Sequence, residues 1–108
     1  MARDILLTTT DTIPGRDIAH TIGLVKGSTV RAKHIGSDIV ASLRNVVGGE
    51  VKEYASLLTG AREQAIDRMV SAARLLGADA VVGIRMETST ITHAASEVMA
   101  YGTAVKLG

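Results

Sequence analysis

Residues 73–84 read Ala73-Arg74-Leu75-Leu76-Gly77-Ala78-Asp79-Ala80-Val81-Val82-Gly83-Ile84, and this stretch holds a helix end, a reversal of the chain and the start of a strand. Gly77 supplies the left-handed backbone that stops a helix without a Cβ penalty. Ala78-Asp79 then makes a tight turn in which the Asp79 carboxylate can accept backbone amide hydrogen bonds. Ala80-Val81-Val82 is apolar on both faces, and residues 83–87 go on with alternation, so the strand starts buried and emerges.

Upstream of the stop, residues 51–76 carry Tyr54, Leu57, Leu58, Ala61, Ala65, Met69, Ala72 and Leu76 at helical spacing, which predicts one amphipathic helix with a weak point at Thr59-Gly60. Downstream, residues 88–95 are small and polar and read as a connecting loop. Residues 96–106 alternate Val98, Ala100, Gly102, Ala104 against Met99, Tyr101, Thr103, Val105, a final strand that forms a hairpin with the one before it.

The first half reads as a short strand over residues 5–9, a turn at Pro14-Gly15, and β-rich sequence over residues 18–32. Gly23 and Gly27 mark either a bulge or a break there, giving one long bent strand or two short ones. Ser37 is a candidate N-cap for a helix with Ile39, Val40, Leu43, Val46 and Val47 on one face, ended by Gly48-Gly49. The expected fold class is therefore α+β, with a small sheet packed against two helices in the order β-β-α-α-β-β.

Of the 108 residues, 46% are hydrophobic and 21% charged, proportions of an ordinary folded domain, and the length suits a single domain spanning 1–108. Tyr54 and Tyr101 are the only aromatics. A core of small aliphatics gains less from burial per residue, so shared burial with identical copies is a natural route to stability. Net charge is +1, with Lys and Arg scattered from Arg3 to Lys106. That pattern leaves no footprint for a phosphate backbone, and nucleic acid is not an expected partner. The chain has no cysteine, which removes disulfides, thiolate ligands and thiol nucleophiles. No apolar run approaches the roughly 18 residues of a membrane span, and residues 1–7 lack a secretory apolar region. No membrane partner and a cytoplasmic location are expected.

The stretches Gly23-Leu24-Val25-Lys26-Gly27, Leu43-Arg44-Asn45-Val46-Val47-Gly48-Gly49 with Tyr54, Ala61-Arg62-Glu63, the 73–84 segment and Gly102-Thr103-Ala104-Val105-Lys106 together resemble the YbjQ-like family, whose members carry the label "putative heavy-metal-binding". They arrive in the family's order and cover nearly the whole chain. The resemblance implies a dodecin-like α+β subunit assembled as a ring-shaped homopentamer, with additional short strands joining neighbours. Ile39, Val40 and Leu43 stand where members often carry Phe around the first helix.

The family label directs attention to metal ligands, and without cysteine only His20, His34, His93 and the carboxylates remain. Glu87, His93 and Glu97 are the candidate metal ligands, because a hairpin brings them around one loop; an exposed polar hairpin is the bland alternative. His20 and His34 are candidates to line a symmetry axis, where five copies of one imidazole suit tetrahedral zinc badly. Glu63 and Asp67 share a helix face, but Arg62, Gln64 and Arg68 around them read as a solvated charged surface. No catalytic residue is assigned. The expectation is a non-enzymatic homo-oligomeric binding or scaffold protein, with any small ligand held between subunits or near the axis. Its cofactor is unknown, and flavin-like stacking is disfavoured by the two-Tyr inventory. The alternatives are a heavy-metal-binding protein using His and carboxylate ligands with a bound metal ion, and an enzyme with an inter-subunit site.

Overall fold

The computed structural model describes residues 4–32, 48–93 and 95–108. Strands β1 (Leu6–Leu7) and β2 (Ile18–Ala32) precede helix α1 (Gly48–Leu75), and β3 (Ala80–Thr92) and β4 (Ala95–Leu107) follow it. The sheet runs β1-β3-β4-β2. β1 pairs parallel with β3, whereas β4 pairs antiparallel with both β3 and β2.

This corrects the expected β-β-α-α-β-β order with two helices: the described residues form one helix and four strands in a mixed sheet, ordered β-β-α-β-β. The helix expected from Ser37 to Val47 lies outside the described residues. Among the described residues Gly48-Gly49 lies inside α1, at its first positions, and α1 continues unbroken through Gly60. β2 is one strand, with register shifts between Ile18 and His20 and between Thr21 and Gly23 and none at Gly27. The loop expected over residues 88–95 is also corrected, since β3 continues to Thr92 and pairs Thr92 with Ala95 across a short turn.

The joint at residues 73–79 forms as the sequence dictates. The Ala78 amide donates to the Ala73 carbonyl at 3.1 Å and the Gly77 amide to the Arg74 carbonyl at 3.0 Å, the paired bonds of a Schellman stop with its glycine at φ 74°. Nothing stands within 4 Å of the position a Cβ would take at Gly77, so Gly77→Ala carries only the backbone penalty. The expected loss is about 1–2 kcal/mol, read as a lower urea midpoint at unchanged slope.

On α1, Ala61, Ala65, Met69 and Ala73 recur every fourth residue and are fully buried. They pack with Val70 against Val25 of β2, Val81 of β3, and Val98, Ala100 and Ala104 of β4. The buried face is the expected one at Ala61, Ala65 and Met69 and departs from it in the last turn, where Ala73 goes inward and Leu76 is left 52% exposed. At Gly27 a Cβ would overlap the Ala65 carbonyl oxygen and the Met69 amide nitrogen, so the helix backbone sits directly on the strand. Thr29 donates to Gln64 Oε1 at 2.8 Å and the Arg68 guanidinium donates to the Ser28 carbonyl at 2.6 Å. Both bonds fix α1 over β2.

On the opposite sheet face Ala80, Val82 and Val105 form a smaller cluster with Ile13, Ile18 and Leu107. Pro14-Gly15 makes the expected turn, with Gly15 at φ 79° and the Arg16 amide donating to the Ile13 carbonyl at 3.1 Å, the geometry of a type II turn. A further irregularity lies in β3. Pairing passes from Val82↔Thr103 to Arg85↔Tyr101, leaving Gly83 (φ 62°) and Ile84 opposite Gly102 as a glycine bulge. The Gly83 amide donates to Thr10 O at 2.8 Å and the Ile84 amide to Thr8 O at 3.1 Å. Beyond the bulge every residue of β3 from Arg85 to Thr92 is exposed, because α1 lies over β2 and β4 and barely reaches β3.

Candidate functional site

The three candidate metal ligands fall on the distal hairpin. Glu87 pairs with Met99, and Glu97 pairs with Ser89, so both carboxylates point to the sheet face opposite α1. They sit on neighbouring strands in a diagonal relation, whose usual spacing is about 7–8 Å. His93 is exposed in the turn beyond Thr92. Among the described residues no group of three or more His, Cys, Asp or Glu side chains is arranged to hold a metal ion. His20 pairs with Lys106 at the other end of the sheet. Lys106 lies eleven positions along β4 from Ala95, about 37 Å at strand rise, so one subunit cannot bring His20 and His93 together. His34 lies outside the described residues. Glu63 and Asp67 are exposed on α1.

Two clefts flank β1. The first, of about 400 Å³, lies between α1 and the β3 bulge and is lined by Leu7, Thr8, Thr9, Ile66, Met69 and Ile84. It is largely aliphatic and suits a small apolar group better than a charged one. The bulge that Gly83 permits shapes its wall. No aromatic or cysteine signal in the sequence could have marked it.

The second cleft, about 450 Å³, is polar and gathers Asp4, Arg16, Arg74, Asp79 and Leu107 around the end of α1. Arg74 donates to Asp4 Oδ1 at 2.8 Å. The Leu107 amide donates to Asp79 Oδ2 at 2.9 Å, while Lys106 Nζ lies 3.6 Å from Asp79 Oδ1 and donates to the Gly77 carbonyl at 3.0 Å. Asp79 therefore accepts a backbone amide as the turn reading expected, but the donor comes from the end of β4. The Leu107 amide is the main reason its carboxyl titrates below the ordinary value, with Lys106 and Arg16 adding attraction. The Asp4 carboxyl is held down chiefly by its hydrogen bond from Arg74. These contacts tie β1, the helix stop and the last strand into one joint.

The sign of the pH dependence follows from those shifts. A carboxyl lowered in the folded state adds stability above its unfolded pKa and loses it as the folded form takes up its proton. Both aspartates are lowered from 3.8. Thermal stability is thus expected to lose their contribution as pH falls through and below that value, with little change from these groups between pH 5 and 7. Asp79→Asn should flatten part of that acid slope, checked by melting curves at matched ionic strength.

Comparison with known proteins places this geometry among close relatives. A family model described as "Putative heavy-metal-binding", of the YbjQ type, matches residues 5–108. A UPF0145 protein of Archaeoglobus fulgidus is 52% identical over 107 residues, covering 99% of each chain. One of Shewanella frigidimarina is 55% identical over 104 residues, covering 96% of this chain and 97% of its own. Among solved structures, a protein of unknown function of the DUF74 family from Pediococcus pentosaceus superimposes with a TM-score of 0.60 at 17% identity, covering 96% of this chain and 98% of that one. That last likeness is one of fold.

Proposed function

We propose, from the premise that this chain belongs to the YbjQ-like UPF0145 family, that it works as a non-enzymatic homo-oligomeric binding or scaffold protein, a ring-shaped homopentamer in the cytoplasm. The observation that carries this reading is the distal arm of the sheet. From Arg85 to Thr92 β3 is exposed on both faces, and Leu24, Val30 and Ile91 are left 69%, 55% and 55% exposed. A strand solvated on both sides gains no burial to offset the entropy of ordering it, and a second copy supplies the missing cover. The number five comes from the family resemblance, and no helix among the described residues is long and apolar enough to cross a membrane. The two shifted carboxyls, Asp4 and Asp79, are both lowered by structural partners, the pattern of a joint and not of a group poised to exchange protons near neutrality.

The family's heavy-metal description finds a poor donor set in a single subunit: the chain has no thiolate, and the described carboxylates and imidazoles do not gather in threes. Soft metals favour thiolate ligands, so we take the assembly and not a metal centre as the working function. Amide hydrogen exchange tests it. Residues 85–92 are expected to be protected on both edges of β3 at working concentration and to lose that protection on dilution. Fast exchange at every concentration would remove the support for assembly.

A further inference from the structure

The aliphatic cleft between α1 and the β3 bulge has one wall that is fixed from within. The Thr8 and Thr10 hydroxyls bond each other at 2.7 Å, and the Thr10 amide donates to Thr8 Oγ1 at 3.1 Å. The Gly83 and Ile84 amides donate to the Thr10 and Thr8 carbonyls, which locks this segment against the bulge. Those bonds engage the polar groups of the wall with one another, so the surface offered to a ligand is chiefly that of Leu7, Ile66, Met69 and Ile84. At about 400 Å³ the cleft reaches the size of small-molecule sites. Met69 at its floor is a side chain that adapts to aliphatic shapes.

Among the described residues none that lines the cleft is charged, but one cation stands at its rim. Arg85 pairs with Tyr101, on the opposite parity to Ala100 and its α1-facing cluster, so its side chain starts from the far face of the sheet. Its Nη1 then donates to the Thr9 carbonyl at 2.9 Å and to the Ile84 carbonyl at 2.8 Å. Thr9 and Ile84 both line the cleft, so the guanidinium comes over the β3 edge to the mouth. Both bonds use Nη1, and the N–H groups of Nη2 and Nε have the fork geometry that suits a carboxylate.

We propose that this cleft binds a small aliphatic carboxylate, with the hydrocarbon chain along Leu7, Ile66, Met69 and Ile84 and the carboxylate on Arg85. It rests on the binding role proposed above and names the ligand class for that role. An apolar lining with one cation at its mouth matches an amphipathic molecule bearing one negative charge. A sugar or a nucleotide would leave its hydroxyls or phosphates unpaired against aliphatic side chains. The cleft is complete within one subunit, so binding does not wait for assembly.

Octanoate titrated into the isotope-labelled full chain is expected to shift the amide NMR signals of Thr8, Thr9, Ile66 and Ile84 and to saturate. Affinity should climb by about fourfold per added methylene group from butanoate to octanoate. Arg85→Gln is expected to weaken octanoate by about tenfold or more and to leave octanol, an uncharged chain of the same carbon count, unchanged. If Arg85 only braced the wall, the variant would weaken both ligands, and that result overturns the carboxylate site. An affinity that stays flat with chain length, or no saturable shift in wild type, overturns it as well. Sedimentation velocity on the same samples separates the two readings. A chain that assembles and never binds octanoate overturns the ligand and leaves the scaffold, whereas one that binds as a monomer supports the cleft and overturns the assembly.

Discussion

Gly27→Ala is expected to destabilise the subunit by about 3 kcal/mol or more, a large part of the total stability of a domain this size. An added Cβ would overlap helix backbone at Ala65 and Met69 and come within 2.7 Å of Arg68 Cβ. Backbone atoms in the middle of a helix cannot step aside singly, so α1 must lift from β2. That movement would also stretch the Thr29 to Gln64 and Arg68 to Ser28 hydrogen bonds. Gly60→Ala supplies the control. Nothing stands within 4 Å of its added methyl and the residue lies within the helix, so the same chemical change should stabilise by roughly 0.5–1 kcal/mol. Urea unfolding of the two variants beside wild type checks both signs.

Met69→Ala should cost about 2–5 kcal/mol. Met69 is fully buried and among the largest fully buried side chains in a core made mostly of alanine and valine, so its removal leaves a cavity that small neighbours cannot fill. It also floors the cleft between α1 and Ile84, which would deepen. Met69→Leu keeps the volume and should lose less than about 1.5 kcal/mol. A similar loss for Leu and Ala would mean that something other than the filled volume matters at this position.

The parts legible in the sequence were those set by local chemistry. Gly77 needed only backbone sterics, and the inward parity of Val98, Ala100, Gly102 and Ala104 was plain from alternation; Asp79 was legible as an acceptor of a backbone amide, but its donor, Leu107, is 28 residues away. What was missed depended on distant contacts. Gly27 looked like a strand irregularity because nothing local reveals a helix lying on it. Residues 88–92 looked like a loop because Thr, Ser and Thr suit a strand whose two faces are solvated as well as they suit a turn. The inward face of α1 was misjudged at Leu76 because alanines mark a buried stripe too weakly to outweigh a leucine at the Schellman stop. For the candidate site, the sequence found Glu87, His93 and Glu97 as neighbours in the hairpin. It did not show that pairing register offsets the two carboxylates and leaves His93 in the turn.

Native mass spectrometry of the protein purified without chelator tests the central claim most directly. The account predicts a ring of five copies of the 11.3 kDa chain as the dominant species at neutral pH and moderate salt. A monomer at every concentration would contradict it.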